Sequence, residues 1–277
     1  MKLVFAGADG PGWVDVLKKS GAKSFLSSFY SIGCGKKAPA VSDADGFFLL
    51  DSGGYSARVH GVDIDVKKYA EFLNKYHISY AFNLDVLDLR TSLNNFYYLN
   101  KNTNTYIMPV YHGPEWRDKK TRDLIDYYVD CFPFIALGGI AGKEVSEENT
   151  KRFLSFVFNR TRDKVMVHGL GTTRLPLLQK YPFFCVDSTS WMSMTRFASS
   201  KVYSKEMAKV RARKNRYMDN LVEDIKWWIK VEKDITRLWE KRGIVWPEPV
   251  FEDLMKKRKL ITYEEWKEQN GTGNLLS

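Results

Sequence analysis

The amino-acid sequence predicts an α/β protein, a (β/α)8 TIM-like barrel. Three observations carry that expectation. Eight short apolar runs rich in β-formers punctuate the chain, helical stretches separate most of them, and 277 residues is an ordinary length for one such barrel. Parallel strands need crossovers of about that size, and alternation of this kind is the mark of a parallel sheet. A doubly wound open sheet is the second reading of the same pattern.

The expected strands are 2–7, 24–29, 46–50, 80–85, 105–111, 134–138, 164–168 and 183–187. Helical spacing fills 13–20, 65–75, 91–100, 118–130, 146–159 and 172–180. The interval 30–45, with Gly33, Gly35 and Pro39, has no helical pattern and reads as a mobile loop. After about residue 190 only helical patterning remains. Tyr217, Leu221, Ile225, Trp228, Ile235, Leu238 and Trp239 form a stripe that should pack on the preceding domain, and a short helix is expected at 263–269. The tail 270–277 reads as loose. The expected division is therefore a catalytic barrel over 1–195 and a basic helical extension over 196–277 packed on it.

Composition narrows the class. Hydrophobic residues at 44% and aromatics at 14% are enough to fill a large core, which argues against disorder. No apolar run reaches the roughly 18 residues of a membrane span, and residues 1–7 read as a strand rather than a signal peptide. Cys34, Cys131 and Cys185 are too few and too scattered for a disulfide framework, so a reducing, cytoplasmic setting is expected. They also lack ligand spacing, so no zinc, other metal or organic cofactor is expected. The net charge of +10 is concentrated. Between 201 and 216, Lys201, Lys205, Lys209, Arg211, Arg213, Lys214 and Arg216 face the single acid Glu206. Such a stripe suits a polyanion, whereas the commoner role of a charge run is a solvated helix face.

A barrel carries its chemistry just past the C-terminal ends of its strands. Here those ends include Asp51-Ser52-Gly53-Gly54-Tyr55, Asn83-Leu84-Asp85, Tyr111-His112-Gly113, Leu137-Gly138-Gly139-Ile140, His168-Gly169 and Asp187-Ser188. One Asp at a strand end is often a helix cap; three of them beside Gly-Gly turns point to a site. Asp88 fits the cap before the helix near 91 better than Asp85 does. Two carboxylates at one mouth suit chemistry at a sugar C1′, where one attacks or stabilises the carbon and another manages the leaving group's proton. A third can grip guanine, whose N1–H and 2-amino group are adjacent donors matching a carboxylate's two acceptors.

These residues resemble the guanine transglycosylase family. Asp51-Ser-Gly-Gly-Tyr is similar to the Asp-Ser-Gly-Gly-Phe/Tyr signature of tRNA-guanine transglycosylases, and Gly138-Gly139-Ile140 to that family's Gly-Gly-Leu turn. His168-Gly-Leu-Gly and Val186-Asp-Ser-Thr-Ser-Trp resemble the phage-type branch, the 7-deazaguanine DNA-guanine transglycosylases. The likeness spans roughly residues 46–191 by motif order. It implies Asp187 as nucleophile at C1′, Asp51 as general acid/base, Asp85 on the base edge and Gly138 and Gly139 at the O6 side. Ser52, Gly53, Gly54 and Gly169 would line the substrate site. Tyr55 would stack on the base, against the alternative of a core aromatic. His112 and His168 would move protons or bond phosphate, against that of buried structural histidines. Cys185, two residues before Asp187, reads as packing.

The family's Cys-rich zinc subdomain is missing, and Tyr111 or His112 stands where its base-contacting Gln lies. The resemblance therefore implies DNA rather than tRNA as the nucleic-acid partner, a free 7-deazaguanine base as co-substrate, no membrane partner, and Lys209, Arg211, Arg213, Lys214 and Arg216 on phosphates. A phage-encoded chain would work in the host cytoplasm. Three other readings stay open: the tRNA enzyme, a glycoside hydrolase on the same fold, and a non-catalytic nucleic-acid-binding barrel.

Overall fold

The computed structural model describes residues 1–86, 88–140, 146–161, 164–192 and 217–271. Nine strands, all paired in parallel, form one sheet: β1 (Lys2–Ala6), β2 (Ser24–Ser28), β3 (Phe47–Asp51), β4 (Tyr80–Phe82), β5 (Tyr106–Met108), β6 (Val110–Tyr111), β7 (Phe134–Leu137), β8 (Met166–Gly169) and β9 (Cys185–Ser188). The spatial order is β5-β4-β3-β2-β1-β9-β8-β7-β6. Its two end strands are consecutive in the chain and separated by Pro109 alone, so the sheet closes on itself as a barrel through that one bent run. Proline has no N–H to give a ladder, which interrupts the strand there. Met108 still accepts from the Asn83 amide at 3.0 Å on one side, and Pro109 O from the Ala136 amide at 2.9 Å on the other. Below the bend the Tyr106 hydroxyl spans the seam, donating to Phe134 O and accepting from Phe134 N, each at 3.0 Å. This closure excludes the open doubly wound sheet. The eight expected strands are all present, the fifth split in two.

The outer layer holds α1 (Pro11–Lys19), α2 (Gly54–Val59), α3 (Val66–Lys75), α4 (Leu89–Asn102), α5 (Gly113–Arg117), α6 (Leu124–Cys131), α7 (Glu147–Thr161) and α8 (Leu175–Lys180). Asp65 caps α3 through the Lys67 amide, and Asp88 caps α4 through the Thr91 amide, as its position suggested. The expected helix at 118–130 starts only at Leu124. Residues before it are turns, tied down by Arg122 Nε donating to Trp116 O and by the Tyr111 hydroxyl donating to Arg122 O. The interval 30–45 has a single 3-10 turn, Asp43–Asp45, and is packed, with Ile32 and Val41 buried beneath it.

Period-two alternation separates two apolar layers. Val4, Leu26, Leu49, Phe82, Met108, Phe134, Ala136 and Cys185 fill the barrel interior, while Phe5, Phe25, Phe48, Leu50, Ile107, Ile135 and Val186 face the helices. The C-terminal part shares both layers. In α9 (Tyr217–Lys241), Leu221, Ile225, Trp228, Ile235 and Trp239 are buried, and the helix lies against β1, α1 and α8. That is where the crossover helix of the last strand belongs in such a barrel. Glu232 accepts from the Leu3 amide at 2.8 Å, and Trp239 Nε1 donates to Leu178 O at 2.8 Å. Then α10 (Phe251–Lys257) brings Phe251, Leu254 and Met255 under the interior cluster, next to Tyr80 and Phe47 at the strand starts. The barrel is thus plugged at its N-terminal end. The expected last helix is present as α11 (Tyr263–Gln269), pinned by Trp266 Nε1 on Asp130. Among the described residues no helix is long and apolar enough to cross a membrane.

Candidate active site

At the opposite, C-terminal end the strands deliver carboxylates. Asp187 lies in β9, in register with Val4, so it points into the barrel, and it is almost fully buried. Its Oδ1 accepts from His168 Nε2 and from the Gly171 amide, both at 2.9 Å. Asp51 ends β3 and retains slight solvent access. Burial pushes its carboxyl up to about 7, and the negative charge of Asp187, then that of Asp9, adds to this; the amides of Gly53 and Ser52 oppose it. Asp51 and Asp187 both lie at the C-terminal ends of their strands, with β2 and β1 between them.

Asp85 follows β4 on the adjacent side. Asn83 donates to its Oδ1 at 2.7 Å and, through the same amide nitrogen, to Ser92 O at 2.9 Å. Burial holds the Asp85 carboxyl well above the usual range; the Asn83 bond works against this, and the charges of Glu115 and Asp51 add to it. His112 Nε2 stands 4.0 Å from Asp85 Oδ2, while the His112 amide donates to Glu115 at 2.9 Å. Burial lowers the pKa of His112, which favours the neutral ring that can both donate and accept.

The glycines permit these approaches. Gly53 has φ of 76°, and a Cβ there would fall 2.4 Å from Tyr30 Cβ and 2.5 Å from Ser28 Oγ. Only glycine lets the β3 turn lie on the β2 turn. A Cβ at Gly138 would sit 2.3 Å from the His112 ring, so the imidazole rests directly on that backbone. Gly54 lies against Asp85, where a Cβ would be 2.8 Å from the carbonyl oxygen. Gly139 is exposed with φ of 70°.

The other expected residues divide. Tyr55 is 73% exposed, with Arg58 over its ring at 5.5 Å, so it is no core aromatic. Ser52 is buried and donates to Asn83 O at 3.1 Å, tying the Asp51 turn to the Asp85 turn. Gly169 faces outward against the Phe183 ring, away from the mouth, because it alternates with inward His168. His168 is wholly enclosed, its Nδ1 3.0 Å from Cys185 Sγ. Lys209, Arg211, Arg213, Lys214 and Arg216 lie outside the described residues.

Several members of the site were not singled out in the sequence. Asp9 follows β1 as Asp85 follows β4, and its Oδ1 accepts from the Ser28 amide at 3.0 Å; the strand-end rule covers it equally. Glu115, three residues after His112, follows the spacing of a capping box. Asn83 and Gly171 fell inside the motifs Asn83-Leu84-Asp85 and His168-Gly-Leu-Gly without a role of their own. Among the described residues no group of three or more His, Cys, Asp or Glu side chains is arranged to hold a metal ion.

The arrangement provides a buried carboxylate gripped on one oxygen, a second carboxyl that exchanges its proton near neutral pH, and a third beside a neutral imidazole. Compared with known proteins, the chain matches no family model and no curated protein.

Proposed function

We propose that this chain is a guanine transglycosylase that replaces guanine in DNA with a 7-deazaguanine base through a covalent aspartyl–sugar intermediate. The observation that carries this reading is the placement of Asp51, Asp85 and Asp187 at the C-terminal ends of three strands of one barrel, with burial and the charge of Asp187 holding Asp51 near neutrality.

A nucleotide in a duplex must first leave the stack to reach a pocket of this kind. Exposed Tyr55 offers it an aromatic face. Ionised Asp85 then accepts from guanine N1–H and the 2-amino group, and a base lacking those donors leaves it unpaired. An oxygen of Asp187 attacks C1′; the C1′–N9 bond breaks and its electron pair stays on the guanine. Asp51 supplies the proton that leaves with the base. The incoming base gives a proton back to Asp51 and its N9 lone pair displaces Asp187 from C1′. A group that titrates near 7 serves in both directions. The covalent ester lets one base leave before the other enters at the same place. The concentrated positive charge of 201–216 suits a nucleic acid, and the absence of Cys-rich patterning favours DNA over tRNA.

The test is nucleoside mass spectrometry of DNA and tRNA from cells expressing the chain with a 7-deazaguanine supply, together with trapping of a protein–nucleic acid adduct. Deazaguanine in DNA is expected. Its appearance in tRNA alone would change the substrate, and neither product nor adduct would remove the reading.

A further inference from the structure

We propose that His168 is a positioning residue for Asp187 and that Cys185, by donating to Nδ1, holds the imidazole in the neutral form that does the positioning. This rests on the reading of Asp187 as nucleophile.

Strand register brings the three residues together. His168 in β8 is opposite Cys185 in β9, and Cys185 and Asp187, two apart, share the inner face. The ring is 0% exposed and packs on Phe82 at a centroid distance of 4.9 Å. Both of its nitrogens are engaged, Nδ1 with Cys185 Sγ at 3.0 Å and Nε2 with Asp187 Oδ1 at 2.9 Å. Enclosed in this way, His168 has no open nitrogen for substrate or phosphate.

The chemistry then fixes the proton positions. A carboxylate only accepts, so Nε2 must carry a hydrogen. A second hydrogen on Nδ1 would make an imidazolium. That is tolerable beside ionised Asp187, but once Asp187 becomes a neutral ester the cation would be buried without its counter-charge. A neutral ring avoids this throughout the cycle. Its Nδ1 must then accept, and among the described residues the group against it is the Cys185 thiol. Burial first, and then the charge of Asp187, raises the thiol pKa, which keeps it as S–H, the donor required.

The result is a relay of fixed hydrogens: Cys185 S–H to Nδ1, then Nε2–H to Asp187 Oδ1. The Gly171 amide adds a second donor to the same oxygen at 2.9 Å. Two donors on Oδ1 set the plane of the carboxylate and leave the other oxygen to attack. The roles are those of a catalytic triad reversed, with the histidine holding the acid in place. A cysteine that merely filled space would tolerate alanine with only a small packing loss.

The test is carried out on the full chain with 15N-labelled imidazoles. The chain has four histidines, and His168→Gln assigns the signal of interest. His168 is expected as the neutral ring with hydrogen on Nε2 alone in the wild type and in Cys185→Ser, and with Nδ1 partly protonated in Cys185→Ala. Single-turnover adduct formation should slow by about 10- to 100-fold in Cys185→Ala and His168→Ala, the range typical when a supporting hydrogen bond behind a functional group is removed. DNA affinity should stay unchanged, and Cys185→Ser and His168→Gln should recover part of the rate. A Cys185→Ala protein with the wild-type protonation of Nδ1 and the wild-type rate would overturn the proposal, as would a Cys185→Ser protein as impaired as Cys185→Ala. If the wild type forms no adduct, the transferase reading fails, and the tautomer series alone decides the positioning.

Discussion

The charge of Asp187 is the largest influence after burial on the carboxyl of Asp51, which it helps to hold at about 7 although β2 and β1 separate their strands. Removing that charge while keeping the side chain's shape should let Asp51 ionise at lower pH. Asp187→Asn is therefore expected to move the Asp51 midpoint down, short of the usual value because burial remains. The same protein should bind DNA and form no adduct. A 13C carboxyl titration reads the shift, and an unmoved midpoint would mean that the two groups act independently.

Asp51 also links stability to pH. In the folded chain it titrates near 7; in the unfolded chain it returns to the usual carboxylate range near 4. Between those values the folded state holds a proton that the unfolded state has lost, so stability falls as pH rises through that window. The cost at pH 8 is at most roughly 4 kcal/mol, reduced by the residual solvent access of the group. Asp51→Asn should stabilise the protein at pH 8, change little at pH 4 and lose exchange. Urea denaturation across this range tests it, and parallel curves for the two proteins would contradict the assignment.

Base binding should release a proton. Asp85 is held well above the usual carboxylate range in the unliganded protein, yet it must be ionised to accept from guanine. Affinity for free guanine is expected to rise with pH until Asp85 is ionised without ligand. Asp85→Asn should weaken binding and flatten that dependence. Calorimetry in two buffers of different ionisation heat counts the proton directly; no release would exclude Asp85 as the acceptor.

Tyr55 offers a cleaner separation of function from stability, because 73% of it is in solvent. Tyr55→Ala should change stability by no more than about 0.5 kcal/mol. The loss of stacking, roughly 1–3 kcal/mol, should lower nucleic-acid affinity by about 5- to 150-fold. Tyr55→Phe should retain it. Equal affinities for the alanine and wild-type proteins would leave the ring without a role.

Neutralising Lys209, Arg211, Arg213 and Lys214 together should make the slope of log affinity against log salt shallower, by about one for each phosphate no longer neutralised. Measurement from low to physiological salt decides between phosphate binding and a solvated stripe.

What was legible in the sequence followed from local rules. Apolar alternation marked the eight strands, and the strand-end rule found Asp51, Asp85 and Asp187 because each lies at or within three residues of its strand's last residue. Relations across strands were not legible. Nothing in 164–169 says which residue of 183–188 will face it, so the contact of His168 with Cys185 and Asp187 had no local signature. Gly169 shows the same limit: as His168's neighbour in the strand it turns its Cα hydrogens to the other side, against Phe183. Tyr55 was ambiguous because a single aromatic after a Gly-Gly turn suits either core or mouth; its exposure required α2 to be placed.

The pairing of β9 with β1, which sets Lys2 opposite Cys185, has a kinetic consequence. This pairing joins residues from nearly opposite ends of the barrel sequence, and contacts of such long span cost the most chain entropy and slow folding. Asp187 is carried on the strand that makes it. Under the proposed roles, a chain with β1 to β8 in place would hold the acid and the base-reading group but have no nucleophile aligned with them. Under the proposed reaction, reactivity is therefore withheld until the ring closes, and a half-built molecule cannot bond itself to the polymer it is meant to edit.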